Sequence, residues 1–157
     1  KVLSQKKNYR KEGFVMLKNV CKLISPQLLK VLCEMGHGDE IVIADANFPA
    51  HSISDNVVRL DGVAIPQLLE GILQLFPLDS YAEENAIFMQ VVTGDTFVPV
   101  IWKKYDEILA KAELDNAKKA YLERFAYYER AKKCYAVVLT GEESQYANLI
   151  LKKGVIK

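Results

Sequence analysis

The sequence lacks the features that would assign several large function classes. No uninterrupted apolar run approaches the about 18 residues that a membrane helix needs, so no membrane span is expected. The net charge of +1 provides no broad attraction for a phosphate backbone, which argues against nucleic-acid binding. What the sequence does contain is a hydrophobic fraction of 50% in 157 residues, enough to bury the core of one domain.

Cysteine and histidine are both scarce. There are three cysteines and two histidines, and the cysteines form no Cys-x-x-Cys pair. This argues against a disulfide framework and against a structural zinc site. We therefore expect Cys21, Cys33 and Cys134 to be reduced, partly buried thiols in a cytoplasmic protein. A phosphate-binding glycine loop between strand and helix is also missing, so no dinucleotide site is predicted.

The first fifteen residues differ from the rest of the chain, because they are rich in charge and show no helical or strand period. Lys11-Glu12-Gly13-Phe14 can be encoded by a purine-rich stretch that resembles a bacterial ribosome-binding site. Our hypothesis is that residues 1–15 are a translated leader or non-native extension, and that residues 16–157 form a single domain starting at Met16. Mass spectrometry of the native protein tests this, since any residue ahead of Met16 contradicts it.

Apolar runs alternate with helical periods along the remaining chain. Short runs rich in β-branched residues predict strands over 41–44, 57–60, 87–92, 135–139 and 146–151. Apolar spacings of three and four predict helices over 26–35, 66–76 and 124–133, and one that starts at Pro99. This order predicts an α/β fold, a three-layer sandwich with a largely parallel central sheet. Ligands collect at the carboxyl ends of the strands in such sheets.

The first candidate for chemistry is a histidine between two glycines, in Gly36-His37-Gly38-Asp39. The glycines leave the imidazole unshielded and allow backbone angles that are closed to other residues. Imidazole titrates near neutrality, so it can give and take protons. The alternative is a helix-ending turn whose histidine only binds backbone carbonyls.

A second candidate group, Asp45 with Asn47 and His51, follows the first buried strand. A carboxylate at a strand's carboxyl end can bind sugar hydroxyls or orient a base. It can equally cap the amides of the loop that follows. A metal site formed by His37, His51 and Asp45 fits no standard ligand spacing, so we expect no metal.

Two further stretches combine hydrogen-bonding and aromatic groups. In the stretch 124–130, the guanidinium of Arg124 can donate two parallel hydrogen bonds to adjacent hydroxyls, and aromatic side chains can stack on a sugar ring. The alternative is an ordinary amphipathic helix with its aromatics in the core. In Tyr146-Ala147-Asn148, strand alternation would put Tyr146 and Asn148 on one face, either as hydroxyl-binding groups or as the polar face of an edge strand.

Together these stretches resemble a known family, the ribose pyranase and L-fucose mutarotase family. The resemblance covers Met16 to Lys157 in the family's order, and residues 1–15 have no counterpart. Arg124 and the loop Phe48-Pro49-Ala50-His51 resemble the fucose branch, whereas Asn47 departs from relatives with histidine there. The matching segments are LISPQLLK at 23–30, MGHGDE at 35–40, ADANFPAHS at 44–52, RFAYYERA at 124–131, TGE at 140–142 and YAN at 146–148.

The resemblance implies an α/β sandwich and an isomerase that interconverts the anomers of L-fucose by acid–base chemistry, without a cofactor. It implies that His37 is the proton donor and that Asp45, Arg124, Tyr146 and Asn148 bind the substrate. It also implies a homo-oligomeric ring, often a decamer, with sites near subunit contacts. The alternatives are a ribose pyranase, a sugar-binding protein without catalysis, and a structural oligomer whose apparent site is only an interface.

Overall fold

A computed structural model describes residues 17–156 of the chain. The hypothesis of a leader over residues 1–15 and a natural start at Met16 lies outside these residues. Between residues 17 and 156, no helix combines the length and the apolar character that crossing a bilayer requires.

Helices and strands alternate for most of the described chain. The helices are α1 (Pro26–Glu34), α2 (Ala50–Ile53), α3 (Ile65–Leu73), α4 (Ile101–Glu113) and α5 (Arg124–Ala131), with a short 3-10 helix at Leu114–Asn116. The strands are β1 (Glu40–Ala44), β2 (Val57–Leu60), β3 (Ala86–Met89), β4 (Lys119–Leu122), β5 (Ala136–Thr140) and β6 (Leu149–Lys152).

The six strands of the described chain form one sheet in the order β2-β5-β1-β6-β3-β4. The strands β1 and β2 pair with β5 in parallel, and β3 pairs with β4 in parallel. Only β6 runs the other way, antiparallel to both β1 and β3. The predicted largely parallel sheet is therefore confirmed, and β6 begins at the edge where β1 ends.

The central strands are buried on both faces, which is why they read as continuous apolar runs. Ile41 and Ile43 of β1 join the core under α1, α3 and α4. Val42 and Ala44 point to the opposite face, where α2 and α5 cover a second core. Helices thus flank the sheet on both faces, as the predicted three-layer sandwich requires.

Three local features differ from the sequence-based expectation. The stretch before α5 contains the edge strand β4, which alternates between exposed and half-buried residues and so lacks an apolar run. The loop after β1 contains the one-turn helix α2. The predicted last strand over 146–151 is wrong at its start, because β6 begins at Leu149 and Tyr146 has a left-handed backbone with φ 56°.

Candidate functional site

The carboxyl edge of the sheet contains a reciprocal pair, Asp45 and Asn148. Asp45 follows β1 and Asn148 precedes the antiparallel β6, so strand direction brings them together. The Asp45 N–H donates to Asn148 Oδ1 at 2.9 Å, and Asn148 Nδ2 donates to Asp45 Oδ2 at 2.8 Å. The other carboxylate oxygen accepts from the Asn47 N–H at 3.0 Å. The two side chains are therefore fixed in place.

This aspartate lies in a poorly solvated position, since Asp45 is only 6% exposed and Asn148 only 5%. Burial raises the pKa of Asp45, and the nearby Glu142 carboxylate raises it further. The hydrogen bonds from Asn47, Asn148 and Phe48 act against this shift without cancelling it. Asp45 is thus a carboxylate that gains from a hydrogen-bond donor, such as a sugar hydroxyl.

Tyr146 lies at the same edge, directly ahead of Ala147 and Asn148. Its φ of 56° is uncommon for a residue with a large side chain. Two aromatic side chains of α4 fix this backbone: Trp102 Nε1 donates to the Tyr146 carbonyl at 2.8 Å, and the Tyr105 hydroxyl donates to the Ala147 carbonyl at 2.9 Å. The predicted proximity of Tyr146 and Asn148 therefore comes from a braced turn, and strand alternation plays no part in it.

Arg124 begins α5, which follows the end of β4 at the carboxyl edge. It is exposed, and its guanidinium carbon lies 4.7 Å from the centroid of the Phe125 ring. Asp95 raises the pKa of the Tyr146 phenol, and the positive charge of Arg124 opposes that rise. The positive charge of Arg124 is therefore felt at the Tyr146 phenol.

His37 lies at the opposite, amino edge of the sheet. Gly38 adopts φ 87°, and its N–H donates to the Lys153 carbonyl at 2.8 Å, which ties this turn to the end of β6. His37 Nε2 is 3.1 Å from Asp79 Oδ1, and the two side chains are 49% and 7% exposed. The imidazole is thus open to solvent on one side and held by a shielded carboxylate on the other.

Asp79 is a candidate site residue that the sequence analysis missed. Burial raises the pKa of its carboxyl, but the Tyr81 N–H at 3.0 Å and the His37 imidazole outweigh that effect and lower it. Asp79 is therefore ionised near neutrality and accepts a hydrogen bond from His37. A turn histidine with a proton-transfer role calls for such a partner, but the chain has 20 acidic residues and nothing in the sequence singles out this one.

Of the five predicted site residues, four lie at the carboxyl edge of the sheet, namely Asp45, Asn148, Tyr146 and Arg124, and the first two are in contact. His37 stands apart from them within one chain, because β1 separates its turn from Asp45. A strand of this length spans roughly 13 Å. The second predicted group is also divided, since Asn47 and His51 are exposed while Asp45 is buried. Among residues 17–156, no group of three or more potential ligands is arranged to hold a metal ion.

Comparison with known proteins supports the resemblance that the motifs indicate. Residues 18–156 match the RbsD / FucU transport protein family. The chain belongs to this family. The L-fucose mutarotase of Actinobacillus pleuropneumoniae serotype 5b (strain L20) is 52% identical to it over 140 residues, 89% of this chain and 97% of that protein. The resemblance to this family in the sequence motifs is thus confirmed.

Two further relatives extend the comparison. The fucose mutarotase of Danio rerio is 52% identical over 149 residues, which cover 90% of this chain and 95% of that protein. The crystal structure of the fucose mutarotase from Streptococcus pneumoniae, in complex with L-fucose, matches with a TM-score of 0.86 and 54% identity. That match covers 90% of this chain and 100% of the other. Fold and sequence therefore agree along nearly the whole described chain.

Proposed function

We propose that this chain is an isomerase that interconverts the α and β anomers of L-fucose by opening and closing the sugar ring. The relatives named above act on this sugar by name, at about half identity over nearly their full length. The observation that carries the proposal is the half-exposed His37 imidazole bound to the shielded Asp79 carboxylate. Ring opening needs one proton delivered to the ring oxygen and one removed from the anomeric hydroxyl.

His37 is suited to this proton transfer. Because ionised Asp79 only accepts hydrogen bonds, it favours the proton on His37 Nε2 and directs Nδ1 toward the substrate. Nδ1 can then take the proton of the anomeric hydroxyl as the ring opens and return it to the C1 carbonyl oxygen as the ring closes, while a second donor, such as a water molecule, gives the ring oxygen its proton on opening and takes it back on closure. Rotation about the C1–C2 bond followed by re-closure gives the other anomer.

The carboxyl edge is suited to holding the sugar. Asp45 offers a carboxylate whose raised pKa favours a hydroxyl donor, and Asn148 fixes its orientation. Arg124 offers exposed N–H donors at the rim, and Tyr146 offers a phenol at the same edge. Several directional hydrogen bonds of this kind fix the sugar's orientation relative to the acid–base group.

We further propose that the complete site forms between copies of the chain in a homo-oligomeric ring, with a decamer as the expected size. His37 and the sugar-binding edge lie at opposite ends of β1, so one chain does not bring them to the same sugar. In a ring with head-to-tail contacts, the amino edge of one copy meets the carboxyl edge of the next. Sedimentation equilibrium tests the size, and a stable monomer would contradict this proposal.

The cytoplasm is the compartment that we propose for this activity. The three cysteines are free thiols: Cys33 is exposed, Cys21 half-buried and Cys134 buried. Burial raises the pKa of the Cys134 thiol to about 12, so it is not a reactive thiolate at neutral pH. Reduced thiols of this kind are usual in reducing compartments. Fractionation of the source cells tests this, and recovery outside the cytoplasm would contradict it.

Saturation-transfer NMR of sugar anomers tests the activity. With the protein present, magnetisation should pass between α- and β-L-fucose much faster than in buffer. A ribose pyranase would instead accelerate pyranose–furanose exchange of D-ribose, so both sugars are run in parallel. Line broadening of fucose without faster exchange would indicate a sugar-binding protein without catalysis. No effect on either sugar would leave only a structural oligomer.

A further inference from the structure

The Tyr146 hydroxyl makes two hydrogen bonds to the loop that follows β3. It donates to Asp95 Oδ2 at 2.7 Å, and the Val92 N–H donates to it at 3.3 Å. A phenol has one O–H and two lone pairs. With the O–H and one lone pair already used, what remains for a ligand is a single acceptor position.

Asp95 is itself fixed by the same loop. Its other oxygen, Oδ1, accepts from the Phe97 N–H at 2.9 Å, and its own N–H donates to the Val92 carbonyl at 2.9 Å. The Phe97 ring lies 5.8 Å from the Tyr146 ring, centroid to centroid. The loop over 92–97 therefore contacts the phenol through hydrogen bonds and through ring packing.

We propose that Asp95 is a positioning and specificity residue of the sugar site. By occupying the O–H of Tyr146, it makes that phenol accept a hydrogen bond from one sugar hydroxyl and prevents it from donating one. This rests on the proposed function, because it assigns a role to Tyr146 toward the sugar. It adds the direction of the hydrogen bond and a residue outside the segments that match the family motifs.

The charges around the phenol agree with this direction. The hydrogen bonds from Tyr146 and from the Phe97 N–H lower the pKa of Asp95, so its carboxylate is ionised at neutral pH and only accepts. The same hydrogen bond raises the pKa of Tyr146, against the effect of Arg124, so the phenol keeps its proton. Arg124 carries donors only and does not compete for the O–H.

The first test compares variants in the fucose exchange assay. Asp95→Ala should raise KM by roughly three- to tenfold and change kcat much less. The reason is that the Tyr146 phenol is no longer oriented to accept from the sugar hydroxyl, and the hydrogen bond that is weakened is of ordinary strength. In a Tyr146→Phe background the same change should have no further effect on KM. Asp55→Ala, which removes an exposed carboxylate from the loop between α2 and β2, is the matched control and should leave both constants unchanged.

The second test uses fluorinated sugars as competing ligands. Fluorine accepts a hydrogen bond weakly and donates none, so 2-, 3- and 4-deoxyfluoro-L-fucose each remove one sugar donor. For each sugar, the measured quantity is its affinity divided by the affinity for fucose. For one of the three, this ratio should be at least threefold lower in the wild type than in Asp95→Ala, because the freed Tyr146 O–H of the variant can turn toward fluorine. Asp95→Leu, which is similar in size and offers no side-chain acceptor for the Tyr146 O–H, replaces the alanine variant if that variant does not fold.

The outcomes separate the two proposals. If the wild type does not accelerate fucose exchange at all, the proposed function fails. If the wild type is active but Asp95→Ala behaves like Asp55→Ala, the role of Asp95 is wrong. The role is also wrong if Asp95→Ala and Tyr146→Phe raise KM additively, or if no fluorinated sugar distinguishes Asp95→Ala from wild type.

Discussion

The two edges of the sheet place an aspartate in opposite settings. At the carboxyl edge, Asp45 is buried beside Asn148 and near the Glu142 carboxylate, and its pKa is raised. At the amino edge, Asp79 contacts the His37 imidazole, and the pKa of the Asp79 carboxyl is lowered. The first setting suits accepting hydrogen bonds from a neutral sugar, and the second suits orienting a proton-transfer group. The contrast agrees with the proposed division, in which one edge binds the sugar and the other transfers protons.

The largest expected effect removes the proton-transfer group at the amino edge. His37→Ala should lower kcat for fucose anomer exchange by ~10²–10⁴-fold, because that is what a positioned acid–base group contributes. Saturation-transfer NMR measures the rate, and circular dichroism should show an unchanged fold because the imidazole is half exposed. His51→Ala is the matched control, since it removes the other histidine, an exposed one in α2. A wild-type rate in His37→Ala would contradict the division between the edges.

An intermediate effect tests the contrast between the two aspartates directly. Carboxyl ¹³C NMR should give a titration midpoint for Asp79 below the ordinary value of 3.8 and one for Asp45 above it. His37→Ala should raise the Asp79 midpoint, and Glu142→Gln should lower the Asp45 midpoint. Two midpoints on the same side of the ordinary value would contradict the opposite pKa shifts of the two aspartates.

The same shifts predict how stability depends on pH. The depressed pKa of Asp79 stabilises the fold above the unfolded value of about 3.9, and this contribution is lost as the pH falls through the lower folded pKa. The raised pKa of Asp45 acts in reverse, so it costs stability at neutral pH and the cost disappears on acidification. Asp79→Asn should therefore flatten the acid loss of stability in urea titrations below pH ~4. An unchanged slope in that variant would argue against the shift.

The smallest effect concerns two buried tyrosines, one on each face of the sheet. The Tyr105 hydroxyl supports the carboxyl edge through the Ala147 carbonyl, whereas the Tyr127 hydroxyl has no hydrogen-bond partner among the described residues. Tyr105→Phe should lower the free energy of unfolding by about 1–3 kcal/mol, because it leaves that carbonyl unpaired. Tyr127→Phe should leave it unchanged or raise it by about 1 kcal/mol. Urea unfolding measures both free energies. A larger loss of unfolding free energy in Tyr127→Phe than in Tyr105→Phe would contradict the view that only the Tyr105 hydroxyl makes a stabilising hydrogen bond.

Much of the fold could be predicted from the sequence, because the buried elements have strong periodic signals. The β1 and β5 runs are apolar throughout since helices cover both faces of the sheet, and α3 shows a clear helical stripe. By contrast, β4 lies at the sheet edge with half of its residues exposed, so its pattern is ambiguous. The turn at Tyr146 resembled a strand start because its conformation depends on hydrogen bonds from α4, a helix distant in sequence.

The site could be predicted only in part. The motifs named His37, Asp45, Arg124, Tyr146 and Asn148, but they do not reveal that β6 runs antiparallel to β1 and so brings Tyr146 and Asn148 to the edge of Asp45, away from His37. Asp79 and Asp95 were missed because each contacts a side chain that is distant in sequence. Asp79 binds an imidazole 42 positions earlier, and Asp95 binds a phenol 51 positions later. Such partners emerge only once the chain is folded.

Complementation between two inactive variants tests most directly whether the site joins two copies. His37→Ala lacks the amino-edge group and Arg124→Ala lacks an exposed carboxyl-edge group, and each should be nearly inactive alone at low fucose concentration. When the two are co-produced, random mixing should leave about a quarter of the sites intact, because each site draws its edges from two independent copies. Exchange activity near a quarter of the wild-type rate is the predicted result. Activity no higher than the average of the two separate variants would contradict a site shared between copies.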